Sequence, residues 1–224
     1  MQGLGYERYG ACGGDFGAGV ATYMALADPA RMTGIHLSTP EVSPYLGPGS
    51  APVTARERAY LDHVDRWDET ERGYSSLAST RPQTVGYGLS DSPVGLAAWL
   101  VEKWRAWSDS GGDVDARIGR DTLLTTITLY WATNSITSSM RDYVDNRWHT
   151  TPIGPDDRVV TPTAMAVFAN EFVPEGEPPR ELFERLYAIS RWTVFPRGGH
   201  FAAIEEPDLL AADIRAHFDA TSEA

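Results

Sequence analysis

Residues 10 to 19 read GACGGDFGAG, a small-x-Asp-x-small turn with Asp15 at its tip and Gly13 and Gly17 on either side. Small flanking residues let a strand and a helix approach closely, and they leave the tip residue strained and exposed. The free N–H groups of the helix that follows favour negative charge at the tip. Aspartate side chains ionise near pH 4 (reference value about 3.9), so a carboxylate here is a nucleophile at neutral pH without a base to deprotonate it. A serine in its place would bond to an alkyl carbon as an ether, which water does not cleave; aspartate forms an ester, which water does. The same five residues also serve as a plain turn whose Asp caps a helix, so the companions downstream decide between the two readings.

RGGHFAAIEEP, residues 197–207, puts His200 in a glycine loop between the last strand and the last helix. A histidine there can take a proton from water. His36, His63, His149 and His217 lack such a setting and read as solvent-facing or packing residues. An acid to orient His200 is expected after the preceding core strand, where FANEFVPEGEPP offers Glu171, Glu175 and Glu177. Glu171 follows the apolar strand directly and is the first choice; Glu175 is the second. The chain order nucleophile, acid, histidine is that of an α/β-hydrolase layout.

These residues need elements to carry them. YERYGAC (6–12) reads as a short strand, GAGVATYMALA (17–27) as a helix and TGIHLST (33–39) as a second strand, a series that predicts a parallel α/β sheet. PEVSPYLGPGSAP (40–52) reads as a linker. Helical patterns follow from 54 to 150: one over 55–71, one opening at Ser92 as N-cap with Pro93 in the first turn, and two in RDTLLTTITLYWA and SITSSMRDYVDNR. The α/β pattern returns with a strand over 161–169, a helix in PPRELFERLYA, a strand in RWTVFP and a final helix in PDLLAADIRAHF. In that last helix Leu210, Ile214 and Phe218 form one packing stripe. The predicted domains are a partial core over 1–40 with the elbow, a helical lid over 41–152 and the rest of the core over 153–224.

The 224-residue chain is 42% hydrophobic, in the range of a globular protein, and its net charge of −12 repels nucleic acid and anionic membranes alike. No apolar run reaches bilayer length. A single cysteine, Cys12, cannot form an internal disulfide and reads as a buried strand residue. No Cys/His metal spacing is present, so no metal or cofactor is expected. A soluble protein of the cytoplasm is predicted.

Four stretches together resemble one family: LGYERYGACGGDFGAGV, TVGYGLSDSPVGLAAWLVEKWRAWSD, LYWATNSITSSMRDY and PRGGHFAAIEEPDLLAADIR. The chain is similar over nearly all its length to epoxide hydrolases of the microsomal and juvenile-hormone type, in their bacterial form. That resemblance implies an α/β-hydrolase fold with a helical lid inserted in the core. It implies Asp15 as nucleophile, His200 as base, Glu171 as its orienting acid, and Tyr74 and Tyr143 as lid tyrosines that hydrogen-bond the epoxide oxygen. From the residues alone, Tyr74 sits just past a helix, Tyr143 sits on one, both read as packing residues, and Tyr87 and Tyr130 compete with them. The implied partners are a small apolar epoxide and water, and the product is a 1,2-diol.

The family places about half its sheet before the nucleophile, whereas only 14 residues precede Asp15 here. The HGxP-type loop that supplies one oxyanion N–H is absent, which leaves the Phe16 N–H as donor. The chain therefore reads as a C-terminal part lacking the N-terminal strands: a truncated frame, a fragment or one half of a split enzyme. Its first strand is expected to leave an unpaired edge, with self-association or a complementing N-terminal half as partner. Two other readings stand beside the hydrolase. One is a haloalkane dehalogenase-like enzyme, for which Trp99, Trp104 and Trp107 would have to serve as halide ligands rather than packing residues. The other is a catalytically dead fragment or interaction module.

Overall fold

A computed structural model of the chain describes residues 1–38, 42–171 and 177–222. After a short 3-10 turn at Gln2–Leu4, β1 (Tyr9–Gly13), α1 (Phe16–Ala27) and β2 (Met32–Leu37) open the fold. Helices α2 (Ala55–Glu71), α3 (Gly73–Thr80), α4 (Pro82–Asp91), α5 (Pro93–Trp107), α6 (Val114–Ile118), α7 (Arg120–Thr133), α8 (Ile136–Ser139) and α9 (Arg141–His149) follow. The chain closes with β3 (Val159–Asn170), α10 (Arg180–Phe183), β4 (Tyr187–Gly199), α11 (Ala202–Glu205) and α12 (Pro207–Ser222). It divides into one unit of Met1–Asp62 with Ile153–Ala224 and a second of His63–Pro152. Residues 42–62, which composition reads as linker and the start of the inserted segment, thus belong with the first unit. The end of the predicted strand at 39 and the first linker residues lie outside the described residues.

The first unit is a parallel sheet in the order β1-β2-β3-β4, with β1 at one edge among the described strands. β2 is buried along almost its whole length, as a parallel strand covered on both faces must be. Ile35 and Leu37 point to one face and pack with Ala18, Ala21 and Ala25 of α1 and with Leu182, Phe183 and Leu186. His36, on the other face, meets α12. Burying Ile35 and Leu37 stabilises the unit by about 1.5–3 kcal/mol each.

The face of α12 that is fully buried is not the apolar stripe the sequence suggests. Leu210, Ile214 and Phe218 are half-buried, whereas Asp213, His217 and Thr221 are the buried row. Asp213 can be buried because the sheet offers it partners. His36 Nε2 lies 2.9 Å from Asp213 Oδ2, and Arg191 Nε and Thr193 Oγ1 each donate to Asp213 Oδ1 at 2.7 Å. One carboxylate therefore ties α12 to both β2 and β4. Burial alone would raise its pKa, but the bonds from His36, Thr193 and Arg191 outweigh burial and hold Asp213 at about 2.

A second buried carboxylate anchors the start of α2. Glu57, 1% exposed, takes the Thr54 N–H at 2.7 Å while Thr54 Oγ1 takes the Glu57 N–H at 3.2 Å, a capping box. Arg185 grips the same carboxylate with two bonds, at 2.6 and 2.8 Å, and donates to the Ala51 and Pro52 carbonyls. This grip also explains why the helix predicted through PPRELFERLYA stops at Phe183. Arg185 is turned to Glu57, and Tyr187 is drawn into the core, where its hydroxyl meets Thr22 Oγ1 at 3.0 Å and its backbone begins β4.

Cys12 is exposed rather than buried. It shares the α12 face of the sheet, but α12 lies mainly over β2 and β3 and reaches the edge strand through Phe218 at Gly10, which leaves Cys12 exposed. The second unit is helical, with Leu96, Ile136, Met140 and Ala78 at its centre. Ser92 caps α5 by accepting the Gly95 N–H at 3.0 Å, with Pro93 in the first turn, as its sequence predicts. The predicted single helix through SITSSMRDYVDNR is two, broken at Met140. Among the described residues no helix is long and apolar enough to cross a membrane.

The Asp213 network generates a pH-dependent expectation. A carboxylate held at about 2 contributes stability that is complete above its unfolded value near 3.9 and is lost as pH falls through 2. Asp213→Asn is expected to lower stability at neutral pH by on the order of 2 kcal/mol and to flatten the loss between about pH 4 and 2, read by urea unfolding across that range.

Candidate active site

β1 ends at Gly13, and the chain reverses into α1 within two residues. A side chain at Gly13 would put its Cβ 2.2 Å from the Gly17 backbone, so only glycine permits the reversal. Gly17 itself faces open space, so the requirement for a small residue is on one flank and not on both. Asp15 sits at φ 52°, ψ −129°, a strained conformation for a residue with a side chain, of the kind that costs on the order of 1–3 kcal/mol. It is also the N-cap of α1: its Oδ1 accepts the Phe16 N–H at 2.6 Å. The capping and nucleophile readings of the turn are therefore compatible. One oxygen is occupied at the helix start and the other is left for chemistry.

That other oxygen faces His200. Asp15 Oδ2 lies 3.1 Å from His200 Nε2, and His200 Nδ1 lies 2.7 Å from Glu171 Oε1. The three residues come from the β1–α1 turn, the end of β3 and the end of β4. The parallel sheet brings them together because all its strands finish at the same edge. The imidazole is buried to 9% exposure while Asp15 keeps 34%. Burial alone would lower the pKa of His200, but the hydrogen bonds and charges of Asp15 and Glu171 overcome it and push it up to about 10. The imidazole is thus an imidazolium at neutral pH when both carboxylates are ionised.

The loop bearing His200 has its own supports, which sequence reasoning passed over. Glu206 pairs with Arg197 Nε at 2.8 Å, and Glu205 Oε1 accepts the Phe201 N–H at 3.0 Å. Both carboxylates are almost fully buried. They clasp the loop on either side of His200. Gly198, at φ +93°, lies where a Cβ would meet the Phe168 ring at 2.8 Å. The signal in the sequence was the adjacent pair of acids in a stretch with a single arginine, Arg197, and no lysine. Beside the triad lies a cavity of about 270 Å³ lined by Gly14, Asp15, Ser38 and His200 and by the apolar side chains of Phe201, Ile204 and Leu210.

The second unit holds both tyrosines. Tyr74 lies just past α2, in the first turn of α3, and Tyr143 in α9; their rings meet edge to face with centroids 5.8 Å apart. Tyr87 is 72% exposed, and Tyr130 packs in the central cluster of the unit. Trp99 and Trp104 pack against apolar clusters, and Trp107 is buried against the Tyr74 ring. Glu177 is exposed and lies 3.5 Å from Arg56, away from His200, and Glu175 lies outside the described residues. Among the described residues no three His, Cys, Asp or Glu side chains group to hold a metal.

Because two carboxylates hold the proton on His200, removing one must release it. Asp15→Asn is expected to bring the His200 pKa down from about 10 by roughly one unit or more, read from the ring C–H signal in an NMR titration.

No protein-family profile matches the chain. Individual relatives do. A Stigmatella aurantiaca protein named as a candidate epoxide hydrolase is 40% identical over 97% of this chain and 48% of its own length. Epoxide hydrolase 1 of Sus scrofa is 34% identical over 96% of this chain and 52% of its own length. Among solved structures, the juvenile hormone epoxide hydrolase of Bombyx mori superposes with a TM-score of 0.81 at 28% identity, covering 100% of this chain and 57% of that one. The chain thus spans about half the length of the curated relatives it matches, and the matched half is their C-terminal part. By sequence and by its α/β-hydrolase fold, the chain matches the C-terminal half of epoxide hydrolases, the juvenile hormone epoxide hydrolases among them.

Proposed function

We propose that this chain carries the machinery that opens a small apolar epoxide to a 1,2-diol through an ester on Asp15. The observation that supports this most directly is the position of His200 between Asp15, at 3.1 Å, and Glu171, at 2.7 Å, beside an apolar cavity.

In the first step Asp15 Oδ2 attacks an epoxide carbon. The new C–O bond forms as the ring C–O bond breaks, and the electron pair stays on the ring oxygen. That oxygen takes a proton from a phenol, for which Tyr74 and Tyr143 are the donors. A pair of neighbouring phenols suits an oxygen leaving group better than the halide that a dehalogenase would have to hold.

Esterification removes the negative charge of Asp15, and with it one of the two supports of the imidazolium. His200 gives up a proton, which balances the one the phenol lost. Neutral His200 can then take a proton from water as that water attacks the ester carbonyl. The carbonyl oxygen corresponds to Oδ1, so the Phe16 N–H that holds it in the resting state is placed to stabilise the oxyanion. Collapse of the intermediate frees the diol and restores Asp15 and the imidazolium. Glu171 keeps the ring oriented throughout. The base is thus switched on by the event that creates its substrate.

A second reading follows from the open edge of β1. Its outer row of N–H and C=O groups faces no described strand. A segment that adds a strand there, from a complementing N-terminal half or from another copy, would cover that edge. On this reading the chain is a catalytic half that works fully only when partnered.

Single-turnover incubation with styrene oxide followed by intact-mass measurement tests the first reading. The chain should gain the mass of one substrate transiently, His200→Gln should hold that adduct, and Asp15→Asn should show none. Equal behaviour of the chain and Asp15→Asn would refute the Asp15 ester.

A further inference from the structure

The mechanism above leaves a half-buried cation of the second unit, Lys103, unused. Lys103 of α5 is 16% exposed at its side chain, and its Nζ lies 4.9 Å from the centroid of the Tyr74 ring and 5.4 Å from that of Trp107. Glu71 from the end of α2 holds the ammonium at 3.0 Å, and Glu102, its neighbour on α5, at 3.1 Å. The Tyr74 ring is fixed from other sides by Trp107, with centroids 5.2 Å apart, and by Tyr143 at 5.8 Å. A lysine on a helix surface normally extends its ammonium into water. Here it lies over the π faces of two rings and is held there by two carboxylates.

The position has a chemical consequence. An ammonium over a phenol ring is attracted by the ring's quadrupole. When the phenol loses its proton, the ring carries a delocalised negative charge, and the same ammonium then attracts it more strongly. An interaction that strengthens as a proton leaves lowers the barrier to giving it up, because only differential stabilisation accelerates a step. Glu71 and Glu102 act against this by placing negative charge beside the ammonium. Their first effect, however, is to fix its position over the two rings, 4.9 and 5.4 Å from their centroids.

We propose that Lys103 is a positioning residue that makes Tyr74 a readier proton donor to the opening epoxide, an inference that rests on the epoxide-opening reading. As Asp15 bonds to carbon and the ring C–O bond breaks, the Tyr74 O–H bond breaks and its proton goes to the ring oxygen. The electron pair left on Tyr74 makes a tyrosinate beneath Lys103, which keeps its own proton. His200 later restores the phenol by way of solvent.

The acidity of Tyr74 tests this without requiring turnover. Its ionisation is isolated as the difference in tyrosinate absorbance between the chain and Tyr74→Phe, followed as pH rises, with Lys103, Lys103→Met or Lys103→Arg in place. Lys103→Met keeps an apolar stem of similar length and is expected to move Tyr74 ionisation up by about one pH unit, tenfold in acidity. Lys103→Arg, whose guanidinium stays charged across the titration, is expected to stay close to the parent. No movement in Lys103→Met, or equal movement in Lys103→Arg, overturns the proposal.

Single turnover with styrene oxide then separates the two claims. Lys103→Met should slow ester formation on the order of tenfold, leave the lifetime of the ester unchanged, and have no effect in a Tyr74→Phe background. An ester lifetime changed as much as its formation marks a general structural defect and overturns the proposal. If Tyr74→Phe forms the ester as fast as the parent, Tyr74 is not the donor and the role of Lys103 in the reaction falls with it, whatever the titration shows.

Discussion

One imidazolium between two carboxylates sets the terms for the rest of the first unit. On the proposed mechanism Asp15 and Glu171 both act as anions, yet their repulsion would drive them apart if nothing lay between. His200, bonded to one at each nitrogen, removes that conflict and leaves a single net negative charge on the group. The arrangement requires three chain segments to meet within hydrogen-bond reach, which a parallel sheet supplies because its strands end together. The strained turn at Asp15, the paired acids behind the His200 loop and the buried anchor of α12 all serve that meeting. Each is locally unfavourable: a non-glycine at positive φ, and carboxylates taken out of water. Such costs are tolerated where the surroundings over-determine the geometry.

Much of this arrangement was legible in the sequence, and the parts that were not have identifiable causes. Gly13, Asp15 and His200 announce themselves because a strand-to-helix turn and a glycine loop have fixed grammar, and Glu171 is marked by the strand it follows. The burial of Asp213 and His217 was hidden because periodicity counts apolar residues, and it cannot see that the sheet holds partners for Asp213. Cys12 was misplaced by average burial preference, which takes no account of an edge strand. Helices α3 and α4 were not assigned individually because Gly, Ser and Thr give weak helical patterns, and the early end of α10 depended on Arg185 reaching a glutamate more than a hundred residues away in sequence. Long-range polar contacts are invisible to local patterns. The tyrosine pair belongs to the same class: ten tyrosines are equivalent until the helices that carry Tyr74 and Tyr143 pack together.

The two units handle buried charge in the same manner. In the first, Arg185 meets Glu57, Arg197 meets Glu206, and Arg191 with His36 meets Asp213. In the second, Lys103 meets Glu71 and is covered by aromatic rings. An acidic chain has more carboxylates than cations; the buried Glu57, Glu206 and Asp213 each hold a particular basic partner, while the buried Glu205 takes the Phe201 N–H. These pairings tie segments far apart in sequence, and they do so with directional bonds that apolar contacts lack.

The polar row on α12 has a mechanical meaning. A greasy helix can slip along a sheet or turn about its own axis and still find something to rest on, so its register is only loosely defined. Asp213 allows no such slippage: a shift of one residue would swing its carboxylate away from β2 and β4, leaving Arg191 without its anion and His36 without its hydrogen-bond partner. The helix that follows His200 is therefore indexed to the sheet like a toothed gear, and the loop ahead of it inherits that accuracy.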